Sequence, residues 1–226
     1  MKILSALTLL TLVIATPVVA SAAPFVITSE LTGDGRPANP DNLNIDVTIT
    51  GDTTSDLTTW VVDLDMAAIY PSAALHEFYV NLAGGSSDYL ISGFNPASWS
   101  VTDTDGGNAT GSGNLDFMFE ISGPNKTVTN ALNLTFTVQK LTSDFLISDF
   151  LGTTVECSND LALGCGQLGA HIGSVGPKGK DSGFALGNYS DGGGRDITAV
   201  PEPMSLTLLG SGLVGLVARA RRRRNA

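Results

Sequence analysis

The residues of this chain that could support nucleophilic catalysis are a histidine, an aspartate and a serine in the order His76, Asp103 and Ser182. A serine hydroxyl becomes a nucleophile when a histidine accepts its proton and a carboxylate orients that histidine. The sequence around Ser182 does not fit this mechanism. Lys180 and Phe184 lie two residues before and after the serine, at positions where enzymes with this order of catalytic residues have glycines. The sequence contains no Gly-x-Ser-x-Gly, phosphate-loop or His-Glu-x-x-His pattern. We therefore predict that the protein is not an enzyme and has no catalytic residues.

Carboxylates are the second group of side chains that could support catalysis or binding. The chain has 22 Asp and Glu residues and only 12 Lys and Arg residues. A pair of carboxylates can hydrolyse a glycosidic bond, and the sequence leaves that alternative open. Clustered carboxylates with glycine can also bind Ca²⁺, and residues 103–108 and 191–196 have this composition. Neither loop has EF-hand spacing, and Asp-Gly and Gly-Asn pairs are typical of hairpin turns. We predict no metal site and no cofactor, with Ca²⁺ as the alternative.

Aromatic side chains could bind sugars, because their flat apolar faces pack against sugar rings while polar neighbours bind hydroxyls. A domain of this size also needs large aromatic residues in its core. Because both tryptophans lie on or beside predicted strands, core packing is the favoured role. The candidates are Trp60, Tyr70, Tyr79, Tyr89 and Trp99.

The two cysteines, Cys157 and Cys165, are close together in the sequence. An even number of cysteines in an exported chain favours a disulfide. Structural zinc needs four ligands, and His76 and His171 are isolated in the sequence. We therefore predict a Cys157–Cys165 disulfide that closes a short loop.

The elements that must position these residues are short strands. Apolar and polar residues alternate with period two over residues 43–50, 115–121 and 132–139, which indicates strands with one buried face and one solvent-facing face. Residues 60–65 and 77–82 predict further strands, residues 98–102, 170–175 and 183–189 give weaker signals, and residues 141–151 predict a short helix or turn. This pattern predicts an all-β fold, an antiparallel β-sandwich that is immunoglobulin- or cohesin-like in outline. A closed barrel is the alternative.

The amino terminus has the composition of a secretory signal peptide. Lys2 precedes an uncharged apolar run over residues 3–19, and the small residues 20–23 follow it. This order is typical of a signal peptide that is removed on export. We predict a signal peptide over residues 1–23 and a β-sandwich ectodomain over residues 24–199.

The carboxyl terminus, residues 200–226, has three parts. Val200, Pro201, Glu202 and Pro203 form an extended segment, because proline fixes φ and lacks a backbone donor. An uncharged apolar segment follows, and we predict a transmembrane helix over residues 205–218. By the positive-inside rule, the basic cluster at the end should stay in the cytoplasm as an anchor. That cluster consists of Arg219, Arg221, Arg222, Arg223 and Arg224.

This order of parts resembles the PEP-CTERM sorting signal of Gram-negative bacteria. The matching residues are Val200, Pro201, Glu202, Pro203, Ser205, Leu206, Leu208, Leu209, Gly210, Gly212, Leu213, Gly215, Leu216 and Arg221 to Arg224. The resemblance implies that an exosortase cuts the tail near Pro-Glu-Pro and that the protein belongs to an exopolysaccharide or biofilm system. The segments around His76 and His171 also resemble segments of small PEP-CTERM ectodomains, which implies that these histidines matter to the fold.

The charge of the ectodomain limits its partners. Without Lys2 and the five tail arginines 6 basic residues remain, and without Glu202 21 acidic residues remain, so the net charge is −15. Nucleic acid is excluded as a partner, since phosphate binding needs clustered Lys or Arg. We expect an exported surface or matrix protein that meets the Sec translocon and an exosortase and has a structural or polysaccharide-binding role. We expect its precursor to be held transiently in the inner membrane, facing the periplasm. The alternative is a secreted carbohydrate-active enzyme that uses paired carboxylates.

Overall fold

The computed structural model describes residues 22–33, 42–104, 117–121, 128–153, 155–157, 165–176 and 178–191. These residues belong to one compact unit, Ala22–Thr198. Most of the predicted signal peptide, and the whole predicted tail with its transmembrane helix over residues 205–218, lie outside the described residues. The boundaries proposed for these segments stay predictions.

The regular secondary structure of the described chain is almost entirely strand, as the period-two pattern predicts. A single turn of helix, α1 (Ser148–Leu151), lies within the segment where the sequence predicts a helix or turn. The strands are β1 (Pro24–Gly33), β2 (Asn44–Asp52), β3 (Leu57–Leu64), β4 (Ala74–Val80), β5 (Tyr89–Asn95), β6 (Trp99–Asp103), β7 (Phe117–Ile121), β8 (Leu134–Lys140), β9 (Glu156–Cys157), β10 (Cys165–Gly166), β11 (Leu168–Val175) and β12 (Asp181–Gly187).

The all-β, antiparallel prediction is confirmed, whereas the arrangement differs from the predicted sandwich of two sheets. Ten strands form one antiparallel sheet in the order β5-β8-β3-β2-β1-β12-β11-β4-β7-β6. The sheet is strongly curled into a half-barrel, and its edge strands β5 and β6 approach each other. Only β9 and β10 form a separate, two-stranded sheet within the described residues. Curling lets a single sheet enclose its own core, so no second sheet is needed to cover the apolar face.

The core lies on the concave face of this sheet. In β2, Ile45, Val47 and Ile49 are buried, while the residues between them face outward. Trp60 of β3 stacks on Phe136 of β8, with ring centroids 5.3 Å apart. These residues belong to one continuous apolar cluster that β1, β4, β11, β12 and α1 also line. Alternation along each strand therefore produces one common core.

Four strands were not predicted from the sequence: β1, β5 and the two-residue strands β9 and β10. β1 alternates in burial like its neighbour, and it pairs with β2 from Pro24 opposite Asp52 to Thr32 opposite Asn44. β5 is an edge strand that exposes Leu90 and most of its polar residues. Its alternation is weak, because an edge strand on a curled sheet has less of one face to bury.

Candidate functional site

An open groove of about 350 Å³ lies between the turn that connects β3 to β4 and the hairpin that connects β11 to β12. Its lining residues are Ile69, Tyr70, Pro71 and Ser72 from the turn, and Ser174, Gly176, Lys178 and Gly179 from the hairpin. Both walls are therefore chain reversals at strand ends, where a sheet protein usually presents its binding residues.

The turn wall of the groove is held by the side chain of Asn130. The Met66 backbone N–H donates to Asn130 Oδ1 at 3.2 Å, and Asn130 Nδ2 donates to the Tyr70 carbonyl at 3.0 Å. Within the turn, the Tyr70 N–H donates to the Met66 carbonyl at 2.7 Å. One amide side chain therefore fixes both ends of the turn.

The hairpin wall depends on backbone conformations that favour glycine. Gly176 has φ +76°, Gly179 has φ +60°, and the Gly179 N–H donates to the Gly176 carbonyl at 3.1 Å. Ser174 also has a positive φ of 59°, and it is the extra residue where the pairing of β11 with β12 shifts. A Cβ at Gly176 would overlap the Asp181 carboxylate, so glycine lets that carboxylate lie against the hairpin backbone.

The aromatic residues considered for sugar binding divide sharply by burial. Trp60, Tyr79, Tyr89 and Trp99 are all buried. Tyr70 is partly buried against the core and lines the groove. The expectation that most of these residues pack in the core is confirmed, and Tyr70 is the member of the set that meets solvent in a concave site.

The two histidines, isolated in the sequence, are neighbours in the fold. Their rings meet edge to face with centroids 5.3 Å apart. His171 on β11 pairs with Glu77 on β4 and with Phe184 on β12, and its ring stacks on Phe184 at 4.4 Å. His76 is the extra residue where the register of β4 against β11 shifts, and a Cβ at Gly173 would overlap its ring. The bulge and the glycine together bring the rings into contact.

Glu77 is the polar centre of this histidine cluster. Its Oε2 lies 3.2 Å from His171 Nδ1 and accepts a hydrogen bond from the Tyr79 hydroxyl at 2.5 Å. The close contact with His171, helped by the hydrogen bond from Tyr79, lowers the pKa of Glu77 although partial burial opposes the shift. The cluster therefore links outward-facing groups of β4, β11 and β12. Among the described residues, no three His, Cys, Asp or Glu side chains are arranged to hold a metal ion.

The members of the rejected serine triad, His76, Asp103 and Ser182, lie on β4, β6 and β12. Ser182 pairs opposite Gly173, the residue on which His76 packs. Asp103 lies on β6, which is separated from β4 by β7.

A row of carboxylates crosses the outer face of β1, β2 and β3. Asp46 pairs directly with Glu30 on one side and with Asp63 on the other. They border a shallow cavity of about 510 Å³. Partial burial, followed by repulsion from Glu30, Asp65 and Asp63, raises the pKa of Asp46. The loops considered for Ca²⁺ binding, residues 103–108 and 191–196, are not part of this row of carboxylates. Most of their residues lie outside the described residues.

The two cysteines occupy opposite positions in the small sheet, where Cys165 of β10 pairs with Cys157 of β9. Directly opposite residues in antiparallel strands have Cα atoms about 4.5–5.5 Å apart, within the range that a disulfide spans. The backbone register therefore suits the predicted bond, and the disulfide itself stays a prediction.

A comparison with known protein families found a match at the carboxyl terminus. The model of the PEP-CTERM protein-sorting motif matches residues 199–223. The chain carries a PEP-CTERM sorting motif. The motif contains Val200, Pro201, Glu202 and Pro203 and reaches into the arginine cluster. Neither the comparison with characterised proteins nor that with solved structures found a match.

The PEP-CTERM motif indicates an exported, membrane-sorted protein that an exosortase processes. Its residues, including Arg219 and Arg221 to Arg224, lie outside the described part of the chain. Within the described part, no helix has both the length and the apolar character needed to span a bilayer. The transmembrane helix over residues 205–218 therefore stays a prediction from the sequence.

Proposed function

We propose that this chain is an exosortase-processed protein of the cell surface or extracellular matrix, whose β-domain has a structural or binding role and no catalytic activity. The observation that carries the proposal is the PEP-CTERM motif at residues 199–223, which begins shortly after the last described residue of the sheet domain. A domain followed by a processing signal is the cargo of that signal. The role outside the cell then belongs to residues 24–199.

The proposed route begins at the Sec translocon, which would accept the signal peptide over residues 1–23. The apolar segment over residues 205–218 would then hold the precursor in the inner membrane with its domain facing the periplasm, while Arg221 to Arg224 stay inside. Cutting near Pro201-Glu202-Pro203 would free the domain from the membrane. Membrane residence in this scheme is transient.

An extracellular polysaccharide is the proposed partner, in an exopolysaccharide or biofilm matrix. The resemblance of the tail to signals of such systems supports this, as does a domain charge of −15, which disfavours nucleic acid. The curled sheet also buries its apolar residues within one domain, so it offers turns and outer strand faces for contact.

A carbohydrate-active enzyme with paired carboxylates is the second candidate. Asp46 and Asp63 lie opposite each other, and the pKa of Asp46 is raised, as a general acid requires. The pair, however, lies side by side on an open sheet face and not across a cleft, whereas glycoside hydrolysis needs carboxylates on both sides of the scissile bond. We therefore favour the non-catalytic role.

Processing is tested by the intact mass of the exported protein. The wild-type mass should lack the Arg221 to Arg224 cluster, and Glu202→Ala should accumulate with its tail in the membrane fraction. Glu30→Ala is the matched control, because it removes a glutamate from the sheet face and leaves the motif unchanged. Full-length wild-type protein outside the cell would refute the sorting proposal.

Catalysis is tested separately by the release of reducing ends from acidic and neutral polysaccharides. We expect none. Hydrolysis that disappears in Asp46→Asn would replace the binding role with the enzymatic one.

A further inference from the structure

We propose that the groove between the β3–β4 turn and the β11–β12 hairpin binds an acidic sugar unit of a polysaccharide, with Tyr70 against the sugar ring and Lys178 against its carboxylate. The proposal rests on the proposed function only for the source of the ligand, an extracellular polymer. The chemistry of the groove is independent of the sorting tail.

The size and rigidity of the groove suit one sugar unit. Its volume of about 350 Å³ is at the lower end of the range of about 300–1,000 Å³ typical of small-molecule sites. Asn130 fixes the turn wall through two hydrogen bonds, and the Gly179 to Gly176 bond closes the hairpin wall. Because the groove is open to solvent, a polymer could continue beyond the bound unit.

The turn wall supplies the apolar surface that a sugar ring needs. Ile69 is exposed, and Tyr70 and Pro71 follow it along the same wall. The C–H face of a sugar packs against such surfaces, while the hydroxyls of Ser72 and Ser174 in the lining can exchange hydrogen bonds with the sugar hydroxyls.

The hairpin wall supplies the charge that selects an acid. Only 6 of the 12 basic residues lie in the predicted ectodomain, and two of them, Lys178 and Lys180, are exposed on this hairpin. Lys140, in contrast, is bound to Asp149 at 2.8 Å. With Asp181 against the hairpin backbone, the hairpin keeps a net charge of about +1 in a domain of −15. A polyanion approaching this domain is attracted there and repelled by most of the remaining surface.

The test measures binding of hexagalacturonate and of neutral cellohexaose by isothermal titration calorimetry, in EDTA to prevent bridging by Ca²⁺. The exported protein is used after its mass has been determined, so that any retained arginine tail is the same in all variants. We expect wild type to bind hexagalacturonate more tightly than cellohexaose, and we expect the affinity to fall as NaCl is raised.

Two sets of variants locate the site. Lys178→Gln with Lys180→Gln should lower the affinity for hexagalacturonate about 3- to 20-fold, as expected for two exposed ion pairs. The charge-matched control, Ser87→Asp with Ser143→Asp, makes the protein equally more negative at exposed positions outside the groove and should have a much smaller effect. Tyr70→Leu keeps an apolar side chain without the ring and should lower the affinity about 2- to 10-fold.

Three results would overturn the proposal. They are no binding of hexagalacturonate, equal binding of cellohexaose, and an equal loss of affinity in the lysine variant and its charge-matched control. The proposed function fails independently of these, because it is judged by tail processing and not by binding.

Discussion

Gln167 should be one of the most costly polar residues to replace in this domain. It is 4 % exposed, and its side chain joins two parts of the fold. Its Nε2 donates to the Thr153 carbonyl at 2.9 Å and to Thr153 Oγ1 at 2.6 Å, while its Oε1 accepts from the Tyr189 backbone N–H at 2.9 Å. The amide thereby connects the segment after α1 to the segment after β12.

Gln167→Met keeps the length of the side chain and removes both its donor and its acceptor. Each buried group that loses its partner costs about 1–3 kcal/mol, so losses at the Thr153 carbonyl and the Tyr189 N–H together predict about 2–6 kcal/mol. At about 2–4 °C per kcal/mol for a domain of this size, the melting temperature should fall by about 4–24 °C. Urea unfolding followed by tryptophan fluorescence gives the free energy directly.

The matched control is Gln139→Met, the same chemical change at a half-buried position. Gln139 Nε2 donates to Asp56 Oδ2 at 2.7 Å in a place that water can reach, so its loss should cost only about 0.5–1.5 kcal/mol. Equal costs for the two variants would show that burial of the Gln167 amide does not determine its contribution.

Three further predictions concern pH and covalent chemistry. Because burial and like charges raise the pKa of Asp46, wild type loses stability as pH rises from the usual aspartate value of 3.8 through the raised folded value. Asp46→Asn should therefore be more stable at pH 7 by about 0.2–1 kcal/mol, and a gain that persists unchanged at pH 3 would contradict this cause. The pKa of Glu77 is lowered by its contact with His171, so the stability from that contact is present above pH 4.5 and is lost as pH falls through the folded value. Glu77→Gln should lower the free energy of unfolding in urea at pH 7 and should have almost no effect at the lowest pH at which wild type stays folded. An equal loss of stability at both pH values would show that the negative charge of Glu77 is not the cause. Thiol titration of the unfolded, unreduced exported protein should find no free thiol, and replacing Cys157 and Cys165 by serine should cost about 2.5 kcal/mol for a loop of this length; two titratable thiols would refute the disulfide.

Strands were predictable where apolar and polar residues alternate in step with burial. β1 alternates in burial but was not predicted, because Val26 is exposed and Ser29 is buried. Ile45, Val47 and Ile49 of β2 alternate with polar residues, and the same pattern marks Phe136 and Val138 of β8. Single-strand periodicity says which face is buried, but it does not identify the strand's neighbours. The prediction of two sheets was therefore wrong in arrangement although correct in class, because pairings such as Leu57 with Gln139 depend on contacts between distant parts of the chain.

The candidate sites also differ in how far they could be predicted from the sequence. The sorting motif is a contiguous sequence, so its residues could be identified without a structure. The groove joins Tyr70 to Lys178 across two separate turns, and no spacing in the sequence indicates that they meet. The contact of His76 with His171 depends on a bulge in β4, and a shift of one residue in strand register leaves no clear signal in a sequence.

The position of β12 has a consequence for the order of export. β12 lies in the middle of the sheet between β1 and β11, and Ser190 bridges back to Thr28 at the beginning of the chain. The earliest described strand therefore obtains its second partner only when the latest one has crossed the membrane. A chain that stopped short of β12 would leave two open edges in mid-sheet, which invite pairing with other molecules. Because the sorting motif follows β12 in the sequence, a chain that presents the motif for cutting already contains the strand that joins the two halves of its sheet. Every strand of the sheet is therefore synthesised before the sorting motif is.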